Sequence, residues 1–124
     1  MLDRAWIESY YHTYNSGDSD ALITYYHPDV ELTSAQGVIS GAQAIIDTYQ
    51  FITARFIDHM RPEAIAIDRN IAVVDIFDQF TAKIDVDDFM GRALAAGDSF
   101  HLHLRGTYVV HEKQIHKITL ELLG

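Results

Sequence analysis

The sequence predicts an α+β fold, three amino-terminal helices followed by one strongly curved antiparallel sheet, and three observations carry the prediction. Apolar residues recur at helical spacing as far as about Ile57 and alternate with polar ones from Ala64 onward. The alternating runs 71–83 and 99–111 far exceed the usual strand of about 5–6 residues, and strands that long bend or bulge to stay packed. Turns as short as Glu112-Lys113-Gln114 join such runs, so neighbouring strands are antiparallel. A curved sheet wrapped around helices encloses a cavity.

Each element has its own signal. Over residues 2–15, Trp6, Ile7, Tyr10, Thr13 and Tyr14 share one helical face, and Arg4, Glu8 and His12 take the other. Gly17 breaks this helix. Asp18 accepts from the amides of the next turn and starts a second helix, with Ala21, Leu22, Tyr25 and Tyr26 as its buried stripe. His27 stands before Pro28 and is pushed out of helical geometry, which ends it. Val30 to Thr33 alternates as a half-buried strand does, and Gly37 allows a turn before Val38 and Ile39. Ser40 and Gln43 have capping-box spacing for a third helix, whose apolar face (Ala42, Ile45, Ile46, Tyr49, Ile52, Phe56) runs to about Ile57. After Pro62, residues 64–67, 71–83, 99–111 and 115–122 read as strands. The stretch 84–98 holds Phe89, Met90 and Leu94, and a loop longer than about 12 residues with apolar content has the make-up of a lid.

Composition removes whole classes of function. The 124 residues carry no cysteine, 48% apolar residues and a net charge of −9, which describes one domain, 1–124, with a core of its own. A chain of this length buries roughly two-thirds of its unfolded surface, so neither a disulfide nor a structural metal is needed. Without cysteine there is no thiol catalysis and no thiolate metal site. The acidic balance repels a phosphate backbone and an anionic bilayer, so nucleic acid and membrane are not expected partners. No apolar run approaches the roughly 18 residues that cross a bilayer, and Met1-Leu2-Asp3-Arg4 lacks the basic start and apolar stretch of a signal peptide, so a cytoplasmic location is expected. There is no Gly-rich phosphate cradle, nucleophile elbow or dinucleotide fingerprint, which leaves nucleotide cofactors and serine hydrolysis without support.

The segments Tyr14-Asn15-Ser16-Gly17-Asp18-Ser19-Asp20-Ala21-Leu22, Tyr26-His27-Pro28-Asp29-Val30-Glu31-Leu32 and Gly41-Ala42-Gln43-Ala44-Ile45, with the closing Gly106-Thr107-Tyr108-Val109-Val110 and Ile115-His116-Lys117-Ile118, resemble the nuclear-transport-factor-2-like superfamily. The likeness is greatest to its SnoaL-like and ketosteroid-isomerase-like branches. It implies a cone of three helices packed into a bent antiparallel sheet, a pocket at the open end, and dimers through the sheet's outer face. Members include isomerases, dehydratases, cyclases, epoxide hydrolases and binding modules, so the fold does not choose a reaction. By position, the resemblance puts Tyr10 where the isomerase branch has its oxyanion-donating tyrosine. The branch's catalytic base falls on Ser34 and its protonated aspartate near Gly106, and neither position holds a carboxyl group.

The residues themselves nominate a different acid. Within 71–83, Asp78 shares a face with Ala72, Val74, Ile76, Phe80 and Ala82, whereas Asp75 lies with Ile71, Val73, Phe77, Gln79 and Thr81. If the more apolar face points inward, Asp78 is a lone carboxyl group in an apolar run, and desolvation raises its pKa into the range of a general acid or base. Asp75 takes that place if a bulge reverses the faces. Tyr10 supplies a phenol to a developing oxyanion, and Trp6, Tyr14, Tyr49, Phe80, Leu104 and Tyr108 line a pocket for a small apolar molecule. Alternation turns Phe100, Leu102, Leu104, Gly106, Tyr108 and Val110 inward and leaves His101, His103 and Arg105 on a polar outer face, where a homodimer is expected. His101 and His103 show no third ligand, so no metal is expected. Asp85, Asp87 and Asp88 lack the spacing of a calcium loop. The expected activity is cofactor-independent acid/base catalysis, of isomerase, dehydratase or cyclase type, on an apolar carbonyl or hydroxyl compound. A non-catalytic ligand-binding or association module of the same fold is the alternative.

Overall fold

The computed structural model describes residues 2–123 and has three helices ahead of most of the sheet. Helix α1 (Arg4–Ser16) starts where the Asp3 carboxylate accepts from the Trp6 amide at 2.8 Å, and it stops at Gly17, whose φ of 79° is left-handed. Asp18 caps α2 (Ser19–Ile23) in the same way, accepting from the Ala21 amide at 3.1 Å. This helix is shorter than the sequence suggests, because Tyr26 already belongs to β1 (Tyr26–Ser34). Pro28 therefore lies within a strand, at a register shift between Tyr26 and Glu31 that accommodates its missing N–H. β2 (Gly37–Ser40) leads into α3 (Ala42–Arg55), and here the capping box does not form. Gly41 is the N-cap with no side-chain bond, while Gln43 donates instead to Asp47 one turn on, at 2.9 Å.

The largest departure from expectation follows α3. The chain passes straight from helix into β3 (Phe56–Asp68), a strand of 13 residues that contains Pro62, with a bulge between Pro62 and Ala64. β3 tolerates the proline because it is an edge: the sheet order is β2-β1-β8-β7-β4-β3, completed by β4 (Ile71–Ala82), β7 (Ser99–His111) and β8 (Gln114–Leu122). Pairing is antiparallel except between β1 and β8, which run parallel. The free edge of β3 is tied to α1 by one side chain. Asn15 donates from Nδ2 to the Met60 carbonyl and accepts at Oδ1 from the Met60 amide, both at 2.8 Å.

The stretch expected to be a loop over 84–98 forms a separate hairpin of β5 (Val86–Phe89) and β6 (Arg92–Leu94). Its turn is Met90-Gly91, with φ of 53° and 80°, the paired positive angles of a tight hairpin turn. The nearby acids serve that local structure: Asp88 accepts from the Gly91 amide and Asp85 from the Ala96 amide. Helices and sheet meet in a core with Leu22, Val30, Ala72, Val74 and Ile115 fully buried. A second cluster of Phe56, Phe80 and Ala82 packs under Phe89, Leu94 and Phe100, which ties the hairpin to the sheet.

Candidate functional site

Burial along β4 alternates strictly from Ala72 to Ala82, so Ala72, Val74, Ile76, Asp78, Phe80 and Ala82 all point inward. Pairing with β7 runs from Ile71↔Val109 to Thr81↔Ser99 without a shift, and no bulge reverses the faces. Asp78 is thus enclosed, at 1% exposure, and Asp75 faces out, where Arg105 Nε donates to its Oδ1 at 2.8 Å. Across β3, Met60 stands opposite Asp78 and Asp58 opposite Phe80, which makes the two aspartates diagonal neighbours on the inner face. Asp58 is buried as well, at 7% exposure.

The two carboxyl groups are close enough to influence each other's ionisation, and two negative charges side by side in a buried site disfavour each other. Tyr14 donates from its hydroxyl to Asp58 Oδ2 at 2.7 Å, whereas Asp58 Oδ1 and Asp78 Oδ1 are buried with no protein donor. That asymmetry sets the two acids apart. Burial, then the hydrogen bond and the charge of Asp58, push Asp78 up to about 10. Burial also raises Asp58, but the hydrogen bonds from Asp78 and Tyr14 act against it. Burial thus favours the neutral form of both acids and does so more strongly for Asp78, so Asp78 holds its proton more tightly and Asp58 is the first of the pair to ionise.

Both acids open onto a cavity of about 370 Å3 between the sheet, α1 and α3. Tyr10, Tyr14, Tyr26, Tyr49 and Tyr108 line it beside the carboxyl pair, and the remaining wall is apolar, including Met60, Phe80, Leu102, Leu104 and Ile118. Phe89 and Met90 of the hairpin reach its rim, together with Ser34, Ala35 and Gln36. The tyrosine hydroxyls are spoken for in pairs: Tyr10 with Tyr26 at 2.7 Å and Tyr11 with Tyr108 at 2.8 Å, while Tyr49 donates to the Tyr14 carbonyl. In each hydroxyl pair one phenol proton stays free to turn toward a ligand. Desolvation holds these phenols protonated, with Tyr10, Tyr11 and Tyr14 well above the usual tyrosine range and Tyr108 raised to about 12.

Of the residues singled out from sequence, Asp78, Tyr10, Tyr14, Tyr49, Phe80, Leu104 and Tyr108 all lie on this cavity. Trp6 does not. The buried line of α1 runs through Ile7, Tyr10 and Tyr11, which turns Trp6 to the flank, 5.3 Å from the Tyr25 ring and stacked on Tyr10 at 6.4 Å. Ser34 stands at the rim with its hydroxyl on Gln36. Gly106 holds no acid because it has no room for one: a Cβ there would meet Cε2 of the Tyr108 ring at 2.8 Å. Sequence reasoning missed Asp58, which sits in the inward series Phe56, Asp58, Met60.

The outer face is built differently. His101 and His103 are exposed around the Phe77 ring, at centroid distances of 4.9 and 5.3 Å, and the Arg61 guanidinium covers Phe77 at 4.8 Å. Among the described residues no three His, Asp or Glu side chains gather as metal ligands, and no helix is long and apolar enough to cross a membrane.

A family model for the SnoaL-like domain, within the nuclear-transport-factor-2-like superfamily, matches residues 7–118. No curated protein matches the sequence. Among solved structures, a proposed polyketide cyclase from Xanthomonas campestris pv. campestris superposes with a TM-score of 0.80 at 19% identity, over 94% of this chain and 87% of that one. AclR from Streptomyces galilaeus, a proposed hydroxylase, gives 0.78 at 15%, over 96% of this chain and 77% of that one. An LEH-like epoxide hydrolase from M. tuberculosis gives 0.77 at 11%, over 95% and 80%. At such identities the likeness carries the α+β cone and nothing of the chemistry.

Proposed function

The chain belongs to the SnoaL-like domain family, and from that premise we propose that it binds a small apolar carbonyl or hydroxyl compound and moves a proton on it without a cofactor. The observation that carries this reading is the buried pair Asp58–Asp78 on the wall of an apolar cavity. Asp78 holds its proton more tightly than Asp58, so the pair offers an acid beside the group that ionises first and acts as base. Asp78 gives the proton and Asp58 takes one. Tyr10, through the hydroxyl it shares with Tyr26, stabilises the oxyanion that develops as a proton leaves the carbon beside a carbonyl. Isomerase, dehydratase and cyclase reactions all use that step.

The test is deuterium wash-in at the α-carbon of 2-tetralone, an apolar bicyclic ketone, followed by NMR in D2O. Wild-type protein is expected to accelerate exchange over buffer, with Asp78→Asn and Asp58→Asn each losing on the order of 100-fold. Bound ketone that exchanges no faster than free ketone overturns the catalytic reading. A second reading, a binding module without catalysis, draws support from Ser34 and Gly106, which occupy the family's acid positions without a carboxyl group; it predicts ligand retention with no exchange.

We further propose that two copies associate through the outer face bearing His101, His103 and Arg105. Its support is the exposed Ile57 and Ile71 flanking the aromatic and histidine cluster. Sedimentation of wild type as a dimer and of His103→Glu as a monomer is the expected result. A monomeric wild type at micromolar concentration excludes it.

A further inference from the structure

The cavity holds two buried acids that no basic side chain in its wall balances. Asp58 and Asp78 both line it, and among the described residues that line the cavity there is no lysine, arginine or histidine. The nearest basic neighbour in sequence, His59, points to the other side of β3 and is exposed. Asp58 and Asp78 are 7% and 1% exposed, and each keeps an oxygen without a protein donor. Buried charges in proteins are paired, and buried acceptors are hydrogen-bonded. Within the cavity wall the protein supplies one phenol, Tyr14, and no cation, and His59 acts on Asp58 only from the far side of β3. The missing partner is left to the ligand.

Around the carboxyl pair stand Tyr10, Tyr14, Tyr26, Tyr49 and Tyr108. Aromatic faces attract a cation electrostatically, and do so more strongly when it is desolvated. An ammonium group answers each feature of the site: N–H donors for the unpartnered carboxyl oxygens, a positive charge that favours ionisation of the acid pair, and a ring of aromatic surface. We propose that the occupant is an apolar molecule bearing a protonated amine, seated with its nitrogen against Asp58 and Asp78 and its body along the apolar wall of the cavity. Within the class named above this selects amino ketones and amino alcohols, and it rests on the reading that this cavity is the ligand site. A lining with two acids and no basic residue disfavours carboxylates and phosphates.

Three probes on one skeleton test it: 2-aminotetralin, protonated at neutral pH, 2-tetralone, neutral, and 1,2,3,4-tetrahydro-2-naphthoate, anionic. Binding to the full chain is followed by calorimetry at pH 7. The amine is expected to bind at least about 10-fold tighter than the ketone, with the carboxylate weaker than both. Asp58→Asn removes the acid that ionises first and is expected to bring amine and ketone within about 2-fold of each other. Asp78→Asn keeps the preference, because its amide donates to Asp58 as the protonated carboxyl does. The wild-type series decides the matter even if a variant fails to fold. Equal binding of ketone and amine overturns the ammonium assignment and leaves the cavity reading standing. Failure of all three to bind overturns both. Retention of the amine preference in Asp58→Asn overturns the assignment of the charge.

Discussion

Asp75 and Asp78 stand three residues apart on β4, and the same side chain meets opposite surroundings on the two faces of one strand. Asp75 is solvated and bridged to Arg105 at 2.8 Å, and that hydrogen bond holds it below the usual carboxylate range. Asp78 is enclosed at 1% exposure, faces a second acid, and is driven up to about 10. An odd spacing on a two-residue repeat is enough to produce this difference. On the outer face a carboxylate is an ordinary surface ion. On the inner face it is a buried acid, because the wall offers it Asp58 and Tyr14 in place of water.

The comparison can be broken from the inside outward. The largest stability loss is expected at Ile76, the fully buried neighbour of Asp78: Ile76→Ala should cost about 2–5 kcal/mol in denaturant unfolding. An inner face that tolerated this loss freely would not be a packed wall. Next comes pH. Folded Asp78 keeps a proton that the unfolded chain releases above about pH 4, so stability is greatest below that and declines as pH rises toward 10. The slope is at most about 1.4 kcal/mol per pH unit, and Asp78→Asn should flatten it. A wild-type curve that rises between pH 5 and 8, once other groups are matched by the variant, would contradict the burial argument.

Gly106→Ala comes third. Its methyl group collides with the Tyr108 ring, and overpacking of this kind costs about 1–3 kcal/mol. The same shift should break the Tyr108–Tyr11 hydroxyl pair, visible as a change in tyrosine ultraviolet absorption. Smallest of all is the outer pair. Asp75→Asn should leave the unfolding midpoint unmoved at physiological salt, since exposed ion pairs contribute little. Its one signature is electrostatic: in wild type, any help from Asp75 vanishes as pH falls through its lowered value. A large midpoint shift in Asp75→Asn would erase the distinction between the faces.

Much of this was legible in the sequence because the two long strands β4 and β7 alternate without interruption. Ala72 to Ala82 and Phe100 to Val110 put Asp78, Leu104 and Tyr108 inside on pattern alone. Asp58 escaped for a physical reason. α3 runs into β3 with no glycine or proline between them, so Phe56 and Ile57 extend a helical pattern, and an aspartate at the inward position hides the alternation that follows. Pro62 and Pro28 misled in the same direction. Each reads as a boundary, yet each is absorbed inside a strand, one at a free edge and one at a shift in register. The hairpin within 84–98 was invisible because its strands are only four and three residues long and its turn carries a methionine at positive φ.

The Asn15 clamp has a consequence for the molecule in a crowded solution. β3 ends the sheet, and an unpaired edge is a template on which other chains can add a strand and begin to aggregate. At Met60 that template is already filled, since one amide side chain makes both bonds that an incoming backbone would make. Pro62, lacking an N–H, spoils the next stretch of the same border. A helix residue and an imino acid thus serve as gatekeepers over the middle of β3, beside the cavity.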